Sequence, residues 1–93
     1  MSKNEQLYVT NVAYVDGNGG SYIHKSFKDA LDEAEQIVTD IIEEFNGDDD
    51  EYETISEGNV LIDEHNGWYT ANLEYDDGTL YAIVTVNKVY NNL

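Results

Sequence analysis

Hydrophobic residues recur along this chain with two different periods, and the change from one to the other marks out its parts. From Leu7 to Val15, the series Leu7, Val9, Ala13, Val15 alternates with Tyr8, Thr10, Val12, Tyr14, the two-residue period of a β-strand. Asp16-Gly17-Asn18-Gly19-Gly20 then supplies residues suited to a tight hairpin loop, so Ser21 to Lys25 reads as a short returning strand. From Phe27 the period lengthens. Phe27, Ala30, Leu31, Ala34, Val38, Ile41, Ile42 and Phe45 stand three or four apart, forming one apolar stripe of a helix. Ser26, with Asp29 three residues on, is a short-acid form of the capping box, and Asn46-Gly47 is expected to close the helix through a left-handed glycine. Asp48 to Gly58 has no period and reads as a loop. Three strand-like runs follow, Asn59 to Asp63, Trp68 to Tyr75 and Thr79 to Val89, joined by His65-Asn66-Gly67 and Asp76-Asp77-Gly78, whose Asn-Gly and Asp-Gly pairs are strong hairpin signals.

The order ββαβββ predicts an α+β fold, an antiparallel sheet of about five strands with one helix packed on one face. Aliphatic content assigns Leu7, Val9, Tyr69, Leu73, Leu80, Val84 and Val86 to the helix-covered face, with Ala13, Ala71 and Ala82 leaving room for the helix to approach. Tyr8, Tyr14, Trp68, Tyr81 and Ile83 are then expected on the opposite face. The four aromatics among them are a candidate interface, for a partner or for a homodimer. The 93 residues fit a single domain, 1–93.

Composition narrows the chemistry. There is no cysteine, which excludes a disulfide framework, a thiolate metal site and a Cys nucleophile. The polar stretch from Met1 to Gln6 has no apolar run after it, so neither a signal peptide nor a membrane span is expected, and the cytoplasm is the expected location. The two histidines, His24 and His65, sit in no catalytic motif, and the expectation is a protein that is not an enzyme and needs no cofactor. Gly17, Gly19 and Gly20 lack the Lys and Ser/Thr of a phosphate loop and read as hairpin glycines. Asp48, Asp49, Asp50, Glu51, Glu53 and Glu57 are rich in oxygen ligands, but counting from Asp48 places Tyr52 and Glu53 where an EF-hand has Asp and Gly. No dedicated metal site is therefore expected.

Charge changes the picture most. The net charge of −16 comes from 20 carboxylates against four lysines, which disfavours direct binding to nucleic acid or to an anionic membrane. Residues 29–77 hold 18 of those acids and no Lys or Arg. Asp29, Asp32, Glu33, Glu35, Asp40, Glu43 and Glu44 are expected to line the outer face of the helix, continued by Asp48, Asp49, Asp50, Glu51 and Glu53 in the loop. Like charges three or four apart cost a few tenths of a kcal/mol each, so the five such pairs on the helix cost roughly 1 to 2.5 kcal/mol. Solubility needs a net charge of only about 2 to 8. The excess points to a binding surface for a positively charged protein.

Size, acidity concentrated between Asp29 and Asp77, a Tyr- and Asn-rich composition and a helix-on-sheet order together resemble the small acidic phage-encoded inhibitors of bacterial defence, the anti-CRISPR and anti-restriction proteins, several of which are DNA mimics. The resemblance is one of class and carries over no individual residue. It implies inhibition of a nucleic-acid-handling protein, such as a CRISPR effector or restriction nuclease, by occupation of its positively charged site. An immunity or antitoxin-like protein that neutralises a basic toxin, and a structural oligomerising subunit, are the alternative expectations.

Overall fold

The computed structural model describes residues 4–47 and 54–92. Its elements are β1 (Asn4–Tyr14), β2 (Gly19–His24), α1 (Phe27–Asn46), β3 (Ile55–Asp63), β4 (Trp68–Tyr75) and β5 (Leu80–Asn92). The expected ββαβββ order and the α+β class are both found. The strands form one antiparallel sheet in the order β2-β1-β5-β4-β3, so β5 is central and joins the β1–β2 hairpin to the β3–β4 hairpin.

The helix starts where its residues direct. Ser26, in an extended conformation, accepts the Asp29 N–H at 3.1 Å, which satisfies one of the first-turn donors. Its end differs from expectation: Gly47 is right-handed (φ −78°) and donates its N–H to the Glu43 carbonyl. The side chain of Asn46 supplies the connection instead. Its amide donates to the Ile55 carbonyl and its carbonyl accepts the Ile55 N–H, both at 3.0 Å. This reproduces one rung of a β-ladder and starts β3 at Ile55, four residues earlier than the hydrophobic pattern indicates.

Two of the hairpins share one turn. Tyr14 donates to the Asn18 carbonyl and accepts from Gly17; Tyr75 does the same with Thr79 and Gly78. An aspartate caps each loop, Asp16 accepting from the Asn18 N–H and Asp77 from the Thr79 N–H. The geometry is a type I turn followed by a left-handed residue, and Gly17 (φ 97°) and Gly78 (φ 87°) fill that position because a Cβ there is strained.

The core lies between α1 and one face of the sheet. Ala30, Ala34, Val38 and Ile41 of the helix are buried against Tyr69, Ala71, Leu73, Ala82, Val84 and Val86, with Ile55 at the start of β3. The face assignment for β1 is the reverse of the expected one. Thr10 is wholly buried and donates its hydroxyl hydrogen to the Ala30 carbonyl at 2.8 Å, so Tyr8, Thr10, Val12 and Tyr14 face the helix. Leu7, Val9 and Ala13 therefore lie on the other side, as does Leu80, which pairs with Glu74. At Thr10 the helix backbone comes within hydrogen-bond distance of β1. A small Thr fits beneath it, and long Tyr rings reach up its flanks.

Two substitutions check this arrangement. Leu73→Ala, at a fully buried position, is expected to lower stability by about 2 to 5 kcal/mol in urea unfolding. Gly78→Ala removes no contact, since nothing lies within 4 Å of a Cβ placed there, yet is expected to cost about 1 kcal/mol through backbone strain alone.

Candidate functional site

The helix sorts its acids by environment. Asp29, Asp32, Glu35, Asp40, Glu43 and Glu44 are exposed on its outer surface. Glu33 is the exception to the expected outward row: it is half-buried and turns to β2, where its carboxylate meets His24 Nε2 at 2.9 Å. His24 thereby fastens an edge strand to the helix. Lys28 pairs with Asp32 at 3.0 Å, but both side chains are largely exposed and such a pair contributes little. That neighbouring carboxylate, through its hydrogen bond and then its charge, raises the Lys28 pKa. Gln36 donates to Asp40 at 2.9 Å. Among the described residues, no cation pairs with Glu35, Glu43 or Glu44, and the last turn of the helix carries no base.

Negative charge accumulates at one end of the molecule. The C-terminal end of α1 meets the two matching turns, because Phe45 packs edge-to-face on Tyr75 and Tyr81 with ring centroids 5.8 and 5.2 Å apart, and Tyr14 on Tyr81 at 5.6 Å. Glu43 and Glu44 therefore share this end with Asp16, Asp76 and Asp77, and Glu44 rims a shallow recess of about 230 Å³ lined by Tyr14, Ile41, Phe45 and Tyr81. Burial, then the charge of Glu44, raises the Tyr14 pKa. At the other end, Tyr8 pairs with both His24 and Lys88 and packs on Phe27, close to Lys28. His24, Lys28 and Lys88 gather there among Asp29, Asp32, Glu33 and Asp63, so negative charge is partly offset at that end, whereas among the described residues the opposite end holds carboxylates and no cation.

The aromatic quartet does not form one surface. Tyr8, Tyr14 and Tyr81 flank the helix as part of its hydrophobic surround, and only Trp68 stands on the open face. Tyr81 is turned by a bulge: Leu73 pairs with Ala82 but Glu74 with Leu80, which leaves Tyr81 as an extra residue on β5. Simple alternation from Ala82 puts it on the wrong side. Asp48, Asp49, Asp50, Glu51 and Glu53 lie outside the described residues.

A second recess, of about 140 Å³, lies between α1 and β3, lined by Glu35, Val38, Thr39, Glu57, Val60 and Tyr69. Glu57 reaches it because β3 begins early, which the aperiodic reading of 48–58 conceals. Burial first, then Glu57 and Glu35, pushes the Tyr69 phenol up to about 12. Among the described residues no group of three His, Cys, Asp or Glu side chains is placed to hold a metal ion, and no helix is long and apolar enough to cross a membrane. Comparison with protein families, with characterised proteins and with solved structures finds no match.

Two measurements follow from this electrostatic layout. Glu43→Lys is expected to stabilise the fold by about 0.3 to 1 kcal/mol in thermal melts, since it relieves repulsion with Asp40 and complements the helix C-terminus. The raised Tyr69 pKa means that folding favours the neutral phenol. Its contribution is complete below pH 10 and is lost as pH rises through about 12, a loss of about 2 kcal/mol. Tyr69→Phe is expected to flatten the alkaline limb of a stability-against-pH curve.

Proposed function

We propose that this protein is a stoichiometric inhibitor that binds the positively charged nucleic-acid site of another protein, a CRISPR effector or restriction nuclease being the kind of target its class resemblance suggests. The observation that carries the reading is the exposed carboxylate row of α1. From Asp29 to Glu44 is 15 residue steps at about 1.5 Å each, or ~22 Å. Its six exposed acids stand on average ~4.5 Å apart along the axis, comparable with but sparser than the ~3.4 Å charge spacing along one strand of duplex DNA. The excess of charge at the C-terminal end of the helix adds direction, since a basic channel approached by this molecule attracts that end first.

Such a row has a cost that stability alone does not explain. Five like-charge pairs, with two glutamates against the negative end of the helix dipole, remove roughly 1 to 2.5 kcal/mol from a domain expected to have about 5 to 14 in all. A basic partner removes the repulsion on binding and recovers that energy as affinity. Charge complementarity of this kind acts mainly on association rate and specificity.

The test is competition. Binding to a basic nuclease is expected to be displaced by duplex DNA and to weaken steeply as salt rises. Neutralising four exposed acids, Asp32→Asn, Asp40→Asn, Glu43→Gln and Glu44→Gln, is expected to weaken it at least about tenfold while leaving the fold intact. Binding that tolerates both high salt and the four substitutions contradicts polyanion mimicry.

A further inference from the structure

Among the described residues the sheet has a second face with no helix over it, and that face mixes aliphatic and neutral polar side chains with few charges. Alternation from the buried core residues places Val9 on β1, Ile23 on β2, Leu61 on β3, Trp68 on β4 and Ile83 on β5 together on this side. Ile23 is 68% exposed and Leu61 56%. The positions between them are largely neutral polar residues such as Asn11, Thr70, Asn72 and Thr85. Among the described side chains in the five-stranded part of the sheet, the carboxylates on this face are Asp63 and Glu74, both on the β3–β4 side; Glu5 holds a position on the same face of β1 beyond that part, paired with Asn91.

A chain with net charge −16 repels a second copy over most of its surface. This face is where two copies can meet without bringing carboxylate rows together. We propose that the open face is the seat of a second copy of this chain, in a two-fold dimer packed sheet against sheet with both α1 helices outermost. Five strands at ~4.8 Å and about eight residues at ~3.4 Å give a face of ~24 by ~27 Å, or ~650 Å² per copy. The ~1,300 Å² buried in total falls within the size range of specific, stable interfaces. A two-fold axis parallel to the strands lays the β2–β1 side of each copy on the β3–β4 side of the other, which keeps Asp63 and Glu74 of the two copies apart. Both acidic helix faces remain outward, so the dimer stands whether or not they bind a basic partner.

Sedimentation equilibrium tests it directly. The expected mass is twice 10.5 kDa, with dimerisation strengthening as salt is added because screening reduces the mutual repulsion of the two chains. This response is opposite in sign to that of binding to a basic partner. Trp68, the single tryptophan, lies on the face, and its emission is expected to shift to the blue as concentration rises. The double variant Ile23→Lys, Leu61→Lys alters side chains already exposed to solvent. It is expected to keep its circular dichroism and to weaken the dimer at least about tenfold. Ile83→Asp, at the centre of the face, is expected to give a folded monomer. A protein that stays monomeric at high concentration and high salt overturns the proposal, as does a dimer unmoved by either variant, which places self-association at a free strand edge instead.

Discussion

The close seating of α1 on the sheet governs the rest of the molecule. It depends on small residues from both sides: Ala30 and Ala34 on the helix, Ala71 and Ala82 on the sheet, all wholly buried. Beneath the helix the Thr10 hydroxyl reaches the Ala30 carbonyl. Beside these small residues the contact holds aliphatics such as Val38, Leu73, Val84 and Val86, and the aromatic rings lie at its two ends. Tyr8 and Phe27 fill one end, and Tyr14, Phe45, Tyr75 and Tyr81 the other. Tyr8, Tyr14, Tyr75 and Tyr81 thus pack their rings against the core from the sides of the helix.

A single helix is about 10 Å across, against about 24 Å for five strands. One element therefore cannot bury both faces or even the whole of one. Chemistry is divided accordingly: carboxylates on the outside of the helix, aliphatics and neutral amides on the open side of the sheet. The division gives two surfaces with opposite responses to ionic strength. Attraction of a basic partner to the charged one is expected to be strongest in dilute salt, and self-association through the other in concentrated salt.

The element order and most of the strand boundaries were legible because turn residues and periodicity agree with each other. Asp16-Gly17 and Asp77-Gly78 stop their strands, and the stripe from Phe27 to Phe45 has no competing reading. What was not legible is which side of β1 faces inward. Both of its alternating series are apolar enough to be buried, and hydrophobicity favours Leu7 and Val9 over Tyr8 and Thr10. The outcome is decided by the shape of the helix across the gap, which no local pattern encodes. The bulge at Tyr81 and the early start of β3 escape for a related reason: each depends on a partner strand or on the Asn46 side chain. Of the acidic row, the exposed positions follow from helical period alone. Glu33 departs because His24, nine residues away, lies within its reach.

The position of β5 has a consequence for how the chain reaches this structure. Thr10 lies beside Val86 and Tyr14 beside Ala82, so the central pairing of the sheet joins segments separated by nearly the whole described chain. The β1–β2 hairpin and the helix form from neighbouring residues, as do the β3–β4 and β4–β5 hairpins. Neither half buries its apolar face until β5 docks beside β1. That closure is paid in chain entropy before it is rewarded in contacts, so it is the step expected to limit the rate of folding. During synthesis, Thr10 and Val12 are exposed from the ribosome long before Val84 and Val86 exist to cover them. The 18 acids between residues 29 and 77 are expected to make such half-made chains repel one another in the meantime.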